Sequence, residues 1–353
     1  CSVVVVERDA DGKAAYRAVN SCLMPVCLLA GREVISVEGV GCSAKMHPVQ
    51  RTMAEGSGSQ CGYCTPGFIC SLFEGYCRDD LHTNDDLDDQ LSGNLCRCTG
   101  YRPIRDAAME AFFCRSNGRE SAQILSGKRS EPTDVGCYKD EFTVRMENST
   151  ARPGAVDYEC GDEKFFRPTS LAQVFELLKH NPAARLIAGA TELGLDITKR
   201  HKKFPTLISV EAVAELKEIK STSNEWHIGA AVTLTVIKDK LGAEFPALND
   251  MLRVFGSRQI RNRATIGGNL VTASPIGDSA PVLLALDAKV ILASQSSERA
   301  LPISEFFLAY RKTALQPGEV LKTIIIPRGS SQPGLTRKTA WFKVSKMSDM
   351  DIS

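Results

Sequence analysis

Long apolar runs are lacking from the sequence, since none approaches the roughly 18 residues that a membrane-spanning helix requires. A surplus of charge is lacking as well, because 43 Lys and Arg stand against 42 Asp and Glu. Such a balance gives no support for a nucleic acid partner or an acidic surface partner. We therefore expect a protein that binds neither membranes nor nucleic acids. With 353 residues the chain is longer than a domain with a single hydrophobic core usually is, which predicts two or three domains.

Cysteine is absent from residues 161–353, whereas all 13 cysteines lie at or before Cys160. Disulfide frameworks belong mostly to small secreted domains, which this long and charged chain does not resemble. The uneven distribution predicts a metal module in the front half and a different chemistry in the back half. The chain opens on Cys1 rather than Met, so we expect its natural start to lie upstream. The lack of a signal peptide is then only weak support for the cytoplasmic location that we expect.

Histidine is scarce, and the five histidines are scattered along the chain without an H-E-x-x-H pattern or a similar constellation. We assign none of them to a metal. A Ser-His-Asp nucleophile system is likewise unsupported.

The front half divides by pattern into a β-rich and a helical part. Residues 1–45 contain three short strand patterns, at 2–7, 15–19 and 34–37, with a turn at Asp11-Gly12. Residues 46–115 are helical. Thr65 followed by Pro66 predicts a helix with Thr as its N-cap, and further helices follow.

The back half has a different organisation. Residues 116–162 are rich in Ser, Gly, Pro and charged residues and predict a linker. Residues 163–353 alternate helix and strand patterns, which indicates an α+β or α/β domain that is incomplete at its C-terminal end. The strands are expected at 185–188, 206–210 and 226–234, with helices continuing through about Phe255.

Two cysteine pairs are the strongest indication of a metal site in the sequence. Cys61 and Cys64 form a C-x2-C pair, and Cys96 and Cys98 form a C-x-C pair after 31 intervening residues. Four thiolates brought together in this way can hold zinc or an iron–sulfur cluster. The C-x-C pair disfavours zinc, because zinc ribbons and fingers usually repeat C-x2–4-C.

The segments around these pairs, Gln60 to Gly67 and Gly93 to Ile104, resemble the helical [2Fe–2S] domain of molybdenum hydroxylases of the xanthine dehydrogenase type. The resemblance implies that Cys61, Cys64, Cys96 and Cys98 hold the cluster nearest the molybdenum cofactor. It also implies that Gln60 contacts the pterin of that cofactor.

Ahead of this domain the family carries a plant-ferredoxin-like domain with C-x4-C-x2-C and a distant fourth Cys. Residues 1–5 resemble the segment after the third ligand, and residues 20–23 resemble the surroundings of the fourth. The resemblance thus implies a second [2Fe–2S] cluster with Cys1 and Cys22 as ligands, although its first two ligands are absent from this sequence. Cys27 and Cys70 match no ligand position and are expected to be buried thiols. The cysteines at 42, 77, 114, 137 and 160 match no ligand position either.

Two glycine-containing segments in the back half suggest nucleotide binding. Residues 186–194 read as a strand, a tight turn and a helix start, and the N–H groups of such a turn can hold a pyrophosphate. An ordinary strand-to-helix turn is the alternative. Residues 264–278 contain a Gly-Gly-Asn turn followed by short polar side chains.

Together the two segments resemble the FAD domain of the same family, a fold of the vanillyl-alcohol-oxidase type, from about Phe166 to Ser353. The resemblance implies that the cofactor is bound by Leu186, Ile187, Ala188, Gly189, Ala190, Thr191, Glu192, Phe255, Asn269, Ser274, Asp278 and Lys343. Met350 occupies a position that is often acidic in the family. Three arginines, at 258, 261 and 263, either neutralise phosphates or are solvated on a turn.

The predicted fold is therefore a multidomain α+β chain with a partial ferredoxin-like β-grasp domain, a helical [2Fe–2S] domain and a vanillyl-alcohol-oxidase-type FAD-binding domain. The resemblance implies electron transfer from a molybdenum centre through two [2Fe–2S] clusters to FAD, and then to NAD or oxygen. The molybdenum cofactor would lie on a partner chain or on a missing domain, and the assembly would be an oligomer. Two alternatives stay open, the same module of an aldehyde or N-heterocycle hydroxylase and a zinc-bound non-catalytic protein.

Overall fold

The computed structural model describes residues 1–8, 12–116, 154–329 and 337–346, with the backbone alone at 113–116. The chain divides into two compact units. The first contains residues 1–22 and 31–152, and the second contains residues 23–30 and 153–353. Most of the predicted linker, Cys137 and Met350 lie outside the described residues, as does the side chain of Cys114. In the described ranges no helix is both long and apolar enough to cross a membrane.

The first unit combines a small sheet with helices. Its elements are β1 (Ser2–Arg8), β2 (Ala14–Asn20), β3 (Glu33–Ile35), α1 (Val37–Val40), α2 (Pro48–Glu55), α3 (Thr65–Tyr76), α4 (Asn84–Leu91) and α5 (Arg102–Ser116). The strand order is β2-β1-β3, and both pairings are antiparallel. The hairpin predicted at 2–19 is confirmed.

One hydrophobic core serves both parts of this unit. Val4 and Val6 of β1 share it with Phe68 and Phe73 of α3. The buried Glu74 carboxylate of α3 also accepts the backbone N–H of Ala18 in β2 at 3.1 Å. The boundary that we expected between residues 45 and 46 therefore does not separate two cores in the structure.

The second unit begins with a mixed four-stranded sheet. Its elements up to residue 254 are β4 (Val156–Cys160), β5 (Glu163–Arg167), α6 (Leu171–His180), β6 (Arg185–Ile187), α7 (Leu193–Arg200), β7 (Thr206–Ser209), β8 (Ile219–Ser221), β9 (Glu225–Gly229), α8 (Leu234–Leu241) and α9 (Pro246–Val254). The order β4-β5-β7-β6 places three parallel strands, β5, β7 and β6, side by side.

The rest of the second unit is built on an antiparallel sheet. Its elements are α10 (Arg258–Arg261), α11 (Ile266–Thr272), α12 (Ser279–Ala285), β10 (Lys289–Ala293), β11 (Glu298–Pro302), β12 (Phe307–Ala309), β13 (Lys312–Thr313) and β14 (Val320–Pro327). The strand order is β11-β10-β14-β9-β8, and α8, α9, α11 and α12 contribute to the core beside this sheet. The mixed helix and sheet architecture agrees with the predicted fold class.

Three elements differ from the sequence prediction. Strand β4 lies inside the predicted linker, and four of its five residues are exposed. The strand expected at 226–234 ends at Gly229, where a Cβ would collide with the carbonyl of Leu216. Helix α3 begins one residue earlier than expected, so Cys64 rather than Thr65 occupies the N-cap position.

Candidate functional site

The four cysteines of the helical motif come together as two pairs in the first unit. The Cys98 thiol donates to the Cys61 sulfur at 3.4 Å, and the Cys64 and Cys96 side chains hydrogen-bond each other. Each pair therefore joins the loop before α3 to the loop before α5. No three His, Cys, Asp or Glu side chains in the described residues surround a single ion position. Two pairs match the demand of a [2Fe–2S] cluster, in which each iron takes two thiolates.

The local backbone explains how the two loops before α3 and α5 present these thiols. Cys64 occupies the N-cap position of α3, and Gly62 takes a left-handed conformation with φ of +81°, which a residue with a Cβ rarely adopts. On the other loop the Cys96 N–H donates to the Tyr101 hydroxyl at 3.1 Å. These contacts leave Cys61 and Cys98 exposed and Cys64 and Cys96 half-buried.

Each pair contains one thiol that ionises more easily than its partner. The Thr99 hydroxyl and N–H lower the pKa of Cys96 to about 7, whereas burial raises the pKa of Cys64 to about 11. The Tyr63 backbone N–H lowers the pKa of Cys61, and the hydrogen bond to Cys61 raises that of Cys98. Metal ligation requires thiolates, and the N–H groups beside Cys96 and Cys61 suit cluster sulfurs. The donor set therefore fits an iron–sulfur cluster.

The two predicted ligands of the other cluster lie at one end of the β1–β2 hairpin. Ser2 pairs with Asn20, and the Ser21 N–H donates to the Cys1 carbonyl at 2.8 Å. Cys1 and Cys22 are both exposed there. The predicted pterin contact Gln60 is exposed beside Cys61.

Two other cysteines were expected to be buried thiols. Cys70 is fully buried in α3, its thiol donates to the Ser2 carbonyl at 3.5 Å, and burial raises its pKa to about 11. Cys27 is half-buried in the second unit, and desolvation raises its pKa as well. Both are poor nucleophiles at neutral pH, because the thiolate is the reactive form.

The first predicted dinucleotide segment forms a turn between β6 and α7, which we call the dinucleotide turn (residues 188–192). Ala190 has a φ of +64° in this turn. Within the described residues, no protein acceptor receives the backbone N–H of Gly189, Ala190 or Thr191. Successive free N–H groups around a left-handed residue form an anion-binding concavity. The turn is therefore suited to a pyrophosphate.

The structure brings the second segment against this turn. A Cβ on Gly189 would collide with the Arg263 carbonyl oxygen, so the two backbones touch only because residue 189 is glycine. The Gly-Gly-Asn sequence was predicted as a turn, which is wrong. These residues form the first part of α11, where the Thr265 hydroxyl accepts the Gly268 N–H at 3.1 Å. Gly267 is needed for close packing against Ala230.

Further predicted cofactor residues meet beyond α11. The Asn269 side-chain oxygen accepts a hydrogen bond from the Ser279 hydroxyl. The Lys343 ammonium lies 2.6 Å from the Asp278 carboxylate. Ser274, which lies between Asn269 and Asp278 in sequence, is half-buried. Phe255 directly follows α9 and packs partly against the core. Glu192 directly precedes α7 and pairs with Arg311 at 3.8 Å.

The three arginines at 258, 261 and 263 are buried, so solvation on a turn, one of the two alternatives for them, is wrong. The Arg261 guanidinium donates to the Gly256 carbonyl, and Arg263 pairs with Glu211 at 2.6 Å. Sequence reasoning missed Glu211. Its position could have identified it as a candidate site residue, because Glu211 lies two residues after the parallel strand β7. Ligands bind at the carboxyl ends of such strands.

Known protein families match both units. The profile of the [2Fe-2S] binding domain matches residues 36–109, and that of the FAD binding domain in molybdopterin dehydrogenase matches residues 158–329. Xanthine dehydrogenase from Emericella nidulans is 33% identical over all of this chain. Xanthine dehydrogenase from Dictyostelium discoideum is 34% identical over 92% of the chain, and xanthine dehydrogenase/oxidase from Mus musculus is 31% identical over 93%.

The chain spans 28% of the length of the Emericella and Dictyostelium relatives and 27% of the mouse relative. Among solved structures, reconstituted CO dehydrogenase from Oligotropha carboxidovorans aligns at 25% identity and a TM-score of 0.49. That alignment covers 56% of this chain and 68% of the other. The assignment rests on the sequence matches, which cover both the cysteine pairs and the dinucleotide turn. The chain therefore belongs to the xanthine dehydrogenase family of molybdenum hydroxylases and contains [2Fe–2S]-binding and FAD-binding domains of that family.

Proposed function

We propose that this chain is the electron-transfer part of a xanthine dehydrogenase-type molybdenum hydroxylase. Electrons from a molybdenum centre, carried by a partner chain or another part of the protein, would pass through two [2Fe–2S] clusters to FAD and then to NAD or oxygen. The observation that carries the proposal is that one chain holds two arrangements suited to these cofactors, the paired thiols and the left-handed turn at residues 188–192.

The redox chemistry belongs to the cofactors, and the protein supplies binding, spacing and electrostatics. Cys61 with Cys98, and Cys64 with Cys96, would each hold one iron. Thr99 donates its N–H toward the Cys96 sulfur at 3.5 Å, and such donors raise the reduction potential of a cluster. Cys1 and Cys22 would supply two ligands of the other cluster, and Gln60 would contact the pterin.

In the second unit the dinucleotide turn would hold the FAD pyrophosphate with its free N–H groups. Asn269, Ser274, Asp278 and Lys343 would bind farther along the cofactor, and Phe255 would lie beside it. The remaining residues of the predicted set, Leu186 to Glu192, would form the wall of the same site.

We also propose a purine as the substrate of the complete enzyme, because the relatives that cover the chain are named xanthine dehydrogenases. The assembly would be an oligomer that contains the molybdenum-binding part. A cytoplasmic location is consistent with the described cysteines, all of which are free thiols.

The test is a spectrum of the purified chain, by ultraviolet–visible absorption and low-temperature EPR, before and after dithionite. Iron, zinc and FAD are quantified on the same sample. We expect visible bands that bleach on reduction, [2Fe–2S] signals in the reduced state, and about one FAD per chain. The number of cluster signals reports whether the Cys1 site is filled. A colourless protein that contains zinc and no flavin would refute the proposal.

A further inference from the structure

A closed cycle of three hydrogen bonds surrounds the predicted ligand Cys96. The Cys96 backbone N–H donates to the Tyr101 hydroxyl at 3.1 Å, and the Tyr101 N–H donates to the Thr99 hydroxyl oxygen at 3.2 Å. The Thr99 hydroxyl in turn lies 3.1 Å from the Cys96 sulfur. The cycle therefore fixes both the backbone and the side chain of Cys96. We call Cys96, Thr99 and Tyr101 the Cys96 cycle.

The direction of the contact between Thr99 and Cys96 follows from metal ligation. While Cys96 is a thiol, either atom can be the donor. A cysteine that ligates iron is a thiolate without a proton, so the Thr99 hydroxyl must then donate to the sulfur. Because the Thr99 oxygen accepts the Tyr101 N–H, its single proton is oriented away from Tyr101. Tyr101 thus favours the orientation in which the Thr99 hydroxyl donates to Cys96.

Tyr101 itself is held in an unusual conformation. Its φ of +68° lies in the left-handed region, which is unfavourable for a residue with a Cβ. Its carbonyl accepts the Arg105 N–H of α5 at 3.0 Å, so its N–H, carbonyl and hydroxyl are all hydrogen-bonded. Its ring lies edge-on to the buried Phe68 of α3, with the centroids 6.4 Å apart. Backbone strain that the surroundings maintain is typical of residues that serve a site.

We propose that Tyr101 is a positioning residue for the ligand Cys96, and that it raises the reduction potential of the cluster through Thr99. The inference rests on the proposed function, because it takes the paired thiols as ligands of a [2Fe–2S] cluster. Tyr101 ties the Cys96 backbone to the same residue that orients the Thr99 hydroxyl, so the donor stays aimed at the sulfur. Such donors stabilise the additional negative charge that the cluster sulfurs carry after reduction.

The experiment compares wild type with Tyr101→Phe, Thr99→Val and the double variant, all as full chains. The midpoint potential is measured by titration with dithionite in the presence of redox mediators. It is followed through the EPR signal that is lost in Cys64→Ala, so that the cluster at this site is the one observed. Iron per chain is determined on each sample.

Ser59→Ala is the matched control. The Ser59 hydroxyl lies 2.7 Å from the Thr65 hydroxyl in the region before α3. The change therefore removes a hydroxyl hydrogen bond close to Cys61 and leaves the Cys96 cycle in place. Its equilibrium constant for reduction should stay within about twofold of wild type.

We expect Thr99→Val to lower the equilibrium constant for reduction by about tenfold, which is about 59 mV for one electron. Tyr101→Phe should lower it by about fivefold with unchanged iron content, because only the hydroxyl is lost and the Thr99 donor is less well aimed. In the Thr99→Val background, Tyr101→Phe should change the constant by less than about twofold, since its effect acts through Thr99.

A potential of Tyr101→Phe equal to or above that of wild type would overturn the inference. Additive effects of the two changes would overturn it as well, because Tyr101 would then act independently of Thr99. If Tyr101→Phe loses its iron, the potential of Tyr101→Asn decides, since Asn tolerates the left-handed conformation. Loss of iron from both variants would also overturn the inference, because Tyr101 would then be needed to bind the cluster at all.

Failure of the proposed function gives a different result. Wild-type chain that contains iron-free thiols and shows no [2Fe–2S] signal would refute the proposed function itself. A wild-type chain with a normal cluster whose potential does not respond to Tyr101→Phe refutes only the role of Tyr101.

Discussion

The Lys343 ammonium lies 2.6 Å from the Asp278 carboxylate, and both side chains are at least nine-tenths buried although 65 residues separate them in sequence. The pair ties the segment at 337–346 to the start of α12, where predicted cofactor residues meet. A buried charge whose partner is removed stays desolvated and uncompensated. We therefore expect the pair to matter for stability as well as for the proposed cofactor site.

The first prediction is that Lys343→Met lowers the free energy of unfolding by about 3 to 5 kcal/mol, as expected for a broken buried pair. The double variant with Asp278→Asn should lose less than the sum of the two single variants, by about 1 kcal/mol or more. Urea unfolding followed by tryptophan fluorescence measures both. Lys164→Met breaks the exposed pair with Glu159 and should cost less than about 1 kcal/mol. Strict additivity of the two single variants would contradict a coupled pair.

The second prediction separates a cluster ligand from a buried thiol in the same part of the chain. Cys64→Ala should remove one reduced [2Fe–2S] EPR signal and about two iron atoms per chain. Cys70→Ala should retain both, because Cys70 is enclosed in α3 with its thiol on the Ser2 carbonyl. Iron analysis and EPR of the two variants provide the comparison. Full iron content in Cys64→Ala would exclude Cys64 as a ligand.

The third prediction concerns the pH dependence of stability. His47 is buried against Phe73 and Tyr76, and desolvation lowers its pKa from 6.5 to about 4. The neutral ring is therefore favoured by folding, and below pH 6.5 the unfolded chain binds more protons than the folded chain. The contribution of His47 should be complete above pH 6.5 and fall by about 3 kcal/mol as the pH drops to 4.

The measurement for His47 is urea unfolding between pH 7 and pH 4 for wild type and His47→Asn. Asn can retain the N-cap bond that the His47 ring accepts from the Val49 N–H. Carboxyl groups titrate in both proteins, so the difference between the two curves isolates the histidine. Parallel curves would show that His47 does not produce the pH dependence.

The fourth prediction tests the close approach at the dinucleotide turn. Gly189→Ala should lower the free energy of unfolding by about 3 kcal/mol, because the new Cβ must displace the Arg263 backbone. It should also weaken FAD binding by distorting the turn. Gly329→Ala, a change into open space in the same unit, should stay within about 0.5 kcal/mol. Equal stability of the two variants would mean that the two segments do not touch.

Sequence patterns predicted the local features of this chain well. The spacing of Cys61, Cys64, Cys96 and Cys98 predicted that these four thiols come together. Strand β1 follows directly from a run of four valines, and β2 resumes an extended pattern after the turn. Strand β4 was missed because it is an edge strand with four exposed residues, so it has no apolar alternation to detect.

The unpredicted features are those that join distant segments. Which thiol pairs with which depends on how the two cysteine loops face each other, and spacing alone cannot tell. The pairing of Arg263 with Glu211 joins residues 52 apart and depends on the order of the parallel strands. The buried position of the Arg263 side chain follows from that pairing, whereas the sequence shows only a charged residue near a turn.

The single core of the first unit has a consequence for synthesis of the chain. The β1–β2 hairpin leaves the ribosome before α3 does, but Val4 and Val6 share their core with Phe68 and Phe73 of α3. The apolar face of the hairpin stays uncovered until α3 has been made, and an isolated hairpin is marginally stable in water. The sheet that carries Cys1 and Cys22 therefore matures only after the helical part has been synthesised, so any metal at Cys1 and Cys22 should be inserted late.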